Sequence, residues 1–200
     1  MTTKRCEHCR GTLPVLARAH ARYCSGRCRT AACRSRQKAS DPVPVAMMRR
    51  RQWVRHTGRK VPLSVNGGRV TPASSTDPSS WCTYRTVRRS TAGAGLGFVL
   101  TSEDRLVCID LDHAFVDGEL RPWARAIMEK LPPTYVEVSP SGTGLHIWGR
   151  GSVGRGRKLR RGEAAIEVYD WGRYITVTRQ PFEGAPSKLA DLSRVIADLL

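Results

Sequence analysis

Acidic residues are scarce in this chain of 200 residues, which has 17 Asp and Glu against 34 Lys and Arg, a formal net charge of +17 and a pI near 10.5. A field of that sign attracts polyanions, and it makes their binding strongly dependent on salt. Long apolar runs are also missing, which excludes a membrane-spanning helix, and no amphipathic basic helix with a wide apolar face indicates attachment to a bilayer. The composition therefore favours a nucleic acid over a membrane as the partner.

The sequence has no internal repeat and no signal peptide, and its seven cysteines are an odd number. These features disfavour a secreted disulfide scaffold and predict a cytoplasmic protein of a bacterial cell. Four cysteines form a C-x₂-C pair and a C-x₃-C pair with fourteen residues between them: Cys6, Cys9, Cys24 and Cys28. Four thiolates at such spacing can converge on one Zn²⁺, whose binding folds a segment too short to build a core.

Other potential ligands accompany the four cysteines. His8 and His20 could compete for the zinc, and Cys33 is either a small buried residue or an alternative ligand. The segment 22–36 resembles small bacterial zinc modules of the treble-clef or ribbon-like kind that end in a basic helix. That resemblance implies an arginine-rich helical surface after the last ligand.

An apolar run with strand character, Leu106-Val-Cys-Ile-Asp-Leu-Asp112, ends in two carboxylates two positions apart. Because side chains alternate along a strand, Asp110 and Asp112 share one face, about 6 to 7 Å apart along it. Two adjacent carboxylates favour a divalent cation between them, which indicates phosphate chemistry with Mg²⁺ or Mn²⁺. Solvated turn acids at a strand end are the alternative.

Two further segments carry polar residues suited to phosphate chemistry. The turn Ser139-Pro-Ser-Gly-Thr-Gly144 leads into a short strand with His146, so that backbone N–H groups, hydroxyls and an imidazole can approach an anion. In Ala164-Ala-Ile-Glu-Val-Tyr-Asp170, alternation places Glu167 opposite the apolar Ile166 and Val168. Glu167 is therefore a candidate third acid.

These three motifs, I-D-L-D, S-P-S-G-T-G-L-H and I-E-V-Y-D-W-G-R-Y-I-T-V-T, resemble the pattern of the archaeo-eukaryotic primase superfamily. The similarity is to the primase/polymerase domains carried by phages and plasmids. Segments at 59–62, 75–81 and 95–100 extend it, so that it covers roughly residues 50 to 180. The resemblance implies an RRM-like palm with an antiparallel sheet, and it implies the synthesis or extension of primers.

The resemblance also assigns roles to residues of this chain. It implies that two divalent metals, Mg²⁺ or Mn²⁺, are held by Asp110, Asp112 and Glu167, and that His146 contacts the phosphates of an incoming NTP or dNTP. It places four further residues near the triphosphate or the template: Ser139, Ser141, Gly142 and Arg173. Single-stranded or primed DNA would be the template, and a separate helicase would melt it. The family usually has a glycine after Thr178, whereas this chain has Arg179, a residue that a left-handed backbone disfavours.

The pattern of hydrophobic residues predicts an α+β fold. A helix is expected over 120–131, and strands are expected at 97–101, 105–111, 134–139, 144–149, 163–169 and 173–178. Residues 64–80 are rich in Gly, Ser, Thr and Pro and are expected to form a loop. We predict a zinc module with a basic helix at 1–40, a linker at 41–52, the catalytic domain at 53–184 and a C-terminal helix at 185–200.

Two arginine-rich segments are candidate nucleic-acid surfaces, with ordinary solvated faces as the alternative. One surrounds Trp53 and contains Arg49, Arg50, Arg51 and Arg55, and the other spans 155–161. Two other functions compete with the primase hypothesis. A non-catalytic nucleic-acid-binding protein could use the same scaffold, and a rolling-circle nicking protein would need a second histidine that His146-Ile-Trp148 lacks.

Overall fold

The chain divides into two compact units, Met1–Pro42 and Val43–Leu200. In the computed structural model the described residues are 4–14, 17–18, 20–32 and 41–200. No helix in these described ranges has the length and apolar character that crossing a bilayer requires. Each unit is described by itself.

The N-terminal unit is organised by a tight turn and a short helix. Arg5 and Thr12 form an antiparallel bridge around the turn, and residues 26–32 are helical (α1). Glu7 accepts two hydrogen bonds from the guanidinium of Arg22, at 2.6 and 2.7 Å, which tie the turn to the segment before α1. Cys33 and the rest of the expected basic helix lie outside the described residues. Among the residues of this unit that the structure describes, polar contacts rather than apolar packing thus fix the fold.

The larger unit contains a central sheet in the order β10-β11-β5-β9, with β8 and β13 both pairing with β9. All pairings are antiparallel except that between β9 and β13. The strands are β5 (Leu106–Asp112), β8 (Tyr135–Val138), β9 (Leu145–Arg150), β10 (Arg157–Arg161), β11 (Ala164–Tyr169) and β13 (Ala190–Asp191). The expected α+β class is confirmed.

A second, wholly antiparallel sheet has the order β12-β4-β1-β2-β3. Its strands are β1 (Trp53–His56), β2 (Pro62–Asn66), β3 (Arg69–Pro72), β4 (Gly95–Val99) and β12 (Tyr174–Val177). A small hairpin joins β6 (Phe115–Val116) to β7 (Glu119–Leu120). The first four strands of the larger unit, β1 to β4, all belong to this sheet. Its fifth strand, β12, comes from near the C-terminus, after the strands of the central sheet other than β13.

Four helices complete the larger unit as the structure describes it: α2 (Val45–Met48), α3 (Tyr84–Arg89), α4 (Pro122–Glu129) and α5 (Ser193–Leu199). Single 3₁₀ turns occupy Pro78–Ser80 and Ser102–Asp104. The helix expected over 120–131 exists but begins at Pro122, which occupies its first turn, because Leu120 instead pairs with Phe115 in the β6–β7 hairpin. Thr83 caps the N-terminus of helix α3, since its hydroxyl accepts from Thr86 N–H.

The central sheet has two faces with different partners. On one face, alternate residues such as Ile109, Ile147 and Ile166 pack with apolar residues of α4 and α5. The opposite face is apolar only at one end, where Cys108 and Trp148 pack against the second sheet. Beyond that contact the same face carries polar side chains. The fold therefore leaves one open, polar surface, supported from behind by a packed core.

Three expectations about secondary structure were wrong in part. Residues 64–80 are not simply a loop, because Asn66-Gly67-Gly68-Arg69 makes a two-residue hairpin turn between β2 and β3, with φ of 55° and 83° at the two glycines. The expected linker 41–52 contains α2 and two fully buried core residues, Val43 and Met47. The C-terminal helix starts only at Ser193, since β13 precedes it.

Candidate active site and metal centres

Five side chains form one row across the central sheet. Cross-strand register pairs Lys158 with Glu167, Glu167 with Asp110, Asp110 with His146, and His146 with Glu137. Residues in register on neighbouring strands point to the same face of a sheet. The row therefore brings carboxylates and cationic groups together on the open face, at right angles to five strands.

Three carboxylates meet at the centre of this face. One oxygen each of Asp110, Asp112 and Glu167 lies within 4.8 Å of the other two. Burial raises the pKa of Asp110 from 3.8 to about 6; the charge of His146 opposes the rise, while Asp112 and Glu167 add to it. The Oδ1 atom of Asp110 is buried and has no hydrogen-bond partner in the described part of the chain. Three converging carboxylates, one of them with a buried oxygen that lacks a hydrogen-bond donor, fit a hard divalent cation.

His146 lies between two carboxylates and is 3% exposed. Its Nδ1 is 3.5 Å from Oε1 of Glu137, and its Nε2 is 3.7 Å from Oδ1 of Asp110. Burial lowers the pKa of His146, but Glu137 and Asp110 more than offset this effect and the pKa is raised overall. The arrangement favours an imidazolium, in which both ring nitrogens are donors.

Glu167 has cationic and phenolic partners. Lys158 Nζ is 2.6 Å from its Oε1, and the Tyr169 hydroxyl donates to its Oε2 at 2.6 Å. These hydrogen bonds outweigh burial and lower the pKa of Glu167. The guanidinium carbon of Arg173 lies 3.8 Å from the centroid of the Tyr169 ring, which it faces. Arg173 is thus brought close to the acid cluster.

A cavity of about 360 Å³ opens above the row. Its acidic floor contains Asp110, His146 and Glu167, and the second sheet contributes much of its wall. Lys60, in the turn between β1 and β2, belongs to that wall, and the Tyr174 hydroxyl donates to its carbonyl. A lysine thus lines the same cavity as two of the three acids, Asp110 and Glu167.

The turn at 139–144 is ordered by its own hydroxyls. Ser139 Oγ is 3.0 Å from Ser141 Oγ, which is 2.9 Å from Thr143 Oγ1, and Gly142 adopts φ 75°. A side chain at Gly144 would come within 2.6 Å of Leu111 O, so the turn packs against the end of β5. Ser139, Ser141 and Gly142 do not line the acidic cavity.

A second groove adjoins that turn. Its volume is about 340 Å³, and it is lined by Pro140 together with Arg55, Arg179 and the 176–180 segment. Thr176 lines both this groove and the acidic cavity. The structure thus places Ser139, Ser141 and Gly142 beside a neighbouring basic groove, and it places Asp110, His146, Glu167 and Arg173 around the acidic cavity.

The four predicted cysteines come together in the N-terminal unit. Their sulfurs lie within 4.8 Å of one another, with Cys9–Cys24 and Cys24–Cys28 separations of 3.6 and 3.5 Å. Tetrahedral zinc with bonds of about 2.3 Å separates its sulfurs by about 3.8 Å, so the cluster fits that geometry. Backbone N–H donors, chiefly that of Cys9, lower the pKa of Cys6 to about 6. Neither His8 nor His20 belongs to the cluster.

Within the arginine segment around Trp53, the tryptophan itself does not lie on a surface. Trp53 has no exposed surface and lies in the core. Arg50 pairs with Asp104, Arg51 donates to Trp81 O, and Arg55 donates to Ala92 O. These arginines hold the second sheet and its loops together. By contrast, most of the 155–161 segment is exposed, in and before the edge strand β10.

Two residues of the site, Glu137 and Lys60, were not predicted from the sequence. Glu137 could have been found, because alternation in Tyr135-Val-Glu-Val138 places it opposite the apolar valines and next to the strand of His146. Lys60 follows Arg59, and nothing in the sequence distinguishes the two cations. Only the positions of the two sheets show which one lines the cavity.

A palm-like sheet with three converging acids and a histidine is an arrangement that could hold divalent metals for phosphoryl transfer. The Prim-Pol family, described as "Bifunctional DNA primase/polymerase, N-terminal", matches residues 19–199, and the chain belongs to this family. A "DNA Primase-polymerase" of Nitratiruptor phage NrS-1 is 38% identical over 165 residues. That match covers 76% of this chain but 22% of the phage protein, so the chain spans about a fifth of that relative's length.

Proposed function

We propose that this chain is a DNA-templated nucleotidyltransferase that synthesises or extends primers in the replication of a phage or another mobile element. The observation that carries the proposal is the convergence of Asp110, Asp112 and Glu167, with an unpartnered buried oxygen, beside His146. Membership of the Prim-Pol family and the name of the phage relative support this reaction class.

The three acids would hold two divalent cations, Mg²⁺ or Mn²⁺, since both accept an all-oxygen ligand set. When bound, the cations lower the pKa of a primer 3′ hydroxyl and stabilise charge on the transferring phosphoryl group. The protein contributes a rigid platform, because Asp110 and Glu167 extend from paired strands backed by the core. Fixed carboxylates need no reorganisation when negative charge develops nearby.

Cationic side chains around the cavity would bind the phosphates of an incoming NTP or dNTP. His146 Nε2 faces the acids and can donate to a phosphate oxygen, and Arg173 is anchored over Tyr169 at the same opening. Ser139, Ser141 and Gly142 would contact the triphosphate from the basic groove beside their turn, where Arg55 and Arg179 add positive charge.

The four-cysteine cluster is proposed to bind one structural Zn²⁺, and its unit is proposed to contact single-stranded or primed DNA. The charges suit this role, since Arg18, Arg22 and Arg29 border a cavity of about 770 Å³ together with Tyr23. Basic side chains with an aromatic ring can bind both the backbone and the bases of a single strand. A helicase on a separate chain is proposed to melt the template.

Incorporation of labelled nucleotides on single-stranded DNA, with and without a primer, in Mg²⁺ and in Mn²⁺, tests the proposal. We expect metal-dependent products from the natural chain and none from Asp110→Asn/Asp112→Asn. The matched control is Glu129→Gln/Asp198→Asn, which neutralises two exposed acids outside the site and should retain activity. If the natural chain and the Asp110→Asn/Asp112→Asn variant bind DNA equally while neither makes product, the chain is a binding protein on the same scaffold.

A further inference from the structure

Glu137 is a completely buried carboxylate that stands at one end of the polar row. It has 0% exposure and lies on β8, opposite His146 on β9. Burying a carboxylate is costly unless hydrogen bonds replace its water. A fully buried acid next to a catalytic histidine therefore requires a physical explanation, which the reaction proposed above does not supply.

The partners of Glu137 are all donors. Its Oε1 accepts from Trp148 Nε1 at 3.2 Å, and its Oε2 accepts from the Tyr135 hydroxyl at 2.9 Å. Oε2 also accepts from the successive backbone N–H groups of Thr178 and Arg179, at 3.1 and 2.9 Å. Consecutive N–H groups of this kind form a nest that binds an anion. Glu137 is thus fixed from both sheets and acts only as an acceptor.

This arrangement requires the nitrogen of His146 that faces Glu137 to carry a proton. Nδ1 lies 3.5 Å from Oε1 of Glu137, is buried, and satisfies hydrogen-bond geometry with no atom of the described residues. An acceptor-only carboxylate at that distance requires Nδ1 to be the N–H donor, and contacts of this type tighten when a substrate binds. The opposite nitrogen, Nε2, then points to Asp110 and the cavity.

We propose that Glu137 is a positioning residue: its buried carboxylate holds the Nδ1–H of His146 and thereby directs Nε2 toward a phosphate of the incoming nucleotide. The phosphate part rests on the function proposed above, whereas the orientation of the ring does not. Partners of this kind typically change affinity or activity by about 10- to 100-fold when they are removed. Glu137 itself belongs neither to the acid cluster nor to the cavity lining, and it reaches the site through His146.

The first test is nuclear magnetic resonance of the natural chain and of Glu137→Gln, both labelled with ¹⁵N-histidine. We expect a protonated Nδ1 in His146, whose proton exchanges slowly with water because both residues are buried. In Glu137→Gln the amide keeps its oxygen toward Thr178 and Arg179 and turns its NH₂ toward Nδ1, which must then accept. An unprotonated Nδ1 in the natural chain would overturn the proposal without any mutation or activity measurement.

The second test is a double-mutant cycle on the KM for the nucleotide in primer extension. Glu137→Gln should raise KM about 10-fold or more with an unchanged Kd for the primed template. In a His146→Ala background the same change should have no further effect, because Glu137 acts through the imidazole. Additive effects of the two substitutions would contradict a positioning role.

Tyr135→Phe is the matched structural control. It removes one hydrogen bond from the same carboxylate and leaves His146 in place, so KM should stay within about twofold even though the melting temperature falls. If Tyr135→Phe raises KM as much as Glu137→Gln does, Glu137 is only a structural residue. If the natural chain makes no product, the function fails, while the resonance measurement still decides the orientation of His146.

Discussion

The two units differ in what holds them together. In the described part of the N-terminal unit, Cys6 and Leu13 are the only buried hydrophobic residues, and none of its residues belongs to a hydrophobic cluster. The larger unit has three such clusters, and it supports a row of charged side chains on its open face. A metal would thus replace a core in the first unit, whereas in the second it would compensate charges that an existing core holds in place.

Removing the metal from the cysteine cluster is expected to have the largest effect. Zinc binding in small modules supplies about 10 to 16 kcal/mol, so Cys24→Ser or a strong chelator should unfold the N-terminal unit. Hydrogen exchange measures this directly. The Glu7 amide, which donates to Arg22 O at 3.0 Å, should lose its protection, while the Ile109 amide in β5 keeps it.

Cys108→Ser is the control for that experiment. Cys108 is buried in the core of the larger unit, so its replacement should lower the stability of that unit without changing the zinc content. Survival of Glu7 protection after the zinc has been removed would contradict the proposed contrast between the units.

Neutralising one acid of the larger unit should stabilise that unit, whereas loss of a cysteine ligand should unfold the N-terminal unit. Asp110→Asn is expected to reduce nucleotide incorporation by at least about 10³-fold, since charge stabilisation carries most of the rate in phosphoryl transfer. The same change should raise the melting temperature of this unit in EDTA, because it removes one of three converging negative charges. Glu129→Gln, on the exposed end of α4, should change neither quantity.

The sign of the pH dependence follows from the pKa of Asp110. Burial raises this pKa from 3.8 to about 6, with Asp112 and Glu167 adding to the rise, so between these pH values the folded state binds more protons than the unfolded state. The stability of the metal-free unit should therefore fall as pH rises from about 4 to about 6. Thermal melts of the natural chain and of Asp110→Asn measure this, and equal slopes in that window would contradict the assignment.

The same contrast explains what the sequence could predict. Local spacing fixes the cysteine pairs and the alternation of Asp110, Asp112 and Glu167, and the structure brings both groups together. Lys60 lines the cavity only because two sheets that are distant in sequence pack together. The spacing of residues along the sequence does not predict such a contact. Trp53 was misread for a related reason, since a run of arginines indicates a surface even when β1 lies in the core.

Lys60 offers a test of the contribution of the second sheet to the site. Lys60→Ala should raise the KM for the nucleotide by about 10-fold, the scale of one lost charge-assisted hydrogen bond, with little change in stability. Arg59→Ala removes the same charge one position away and outside the cavity lining, so its KM should remain that of the natural chain. Equal effects of the two variants would show a general charge effect, and an unchanged KM in Lys60→Ala would exclude a phosphate contact.

Arg179 is expected to show the smallest effect on stability. It adopts φ 63°, the left-handed conformation that costs a residue with a side chain about 1 to 2 kcal/mol, at the position where the resemblance described in the sequence analysis leads us to expect glycine. The conformation persists because it directs the Arg179 N–H to Glu137 Oε2 at 2.9 Å.

Arg179→Gly should therefore stabilise the larger unit by about 1 kcal/mol relative to Arg179→Ala, which loses the same guanidinium but keeps the Cβ. That gain corresponds to about 2 to 4 °C in melting temperature for a unit of this size. Equal melting temperatures for the two variants would mean that the turn relaxes when the arginine is lost. The hydrogen bonds to Glu137 would then not be what holds residue 179 in the left-handed conformation. A difference of the expected size would show that the larger unit tolerates a strained backbone at residue 179. The strain would be offset by the hydrogen bond that fixes the buried Glu137 carboxylate next to His146.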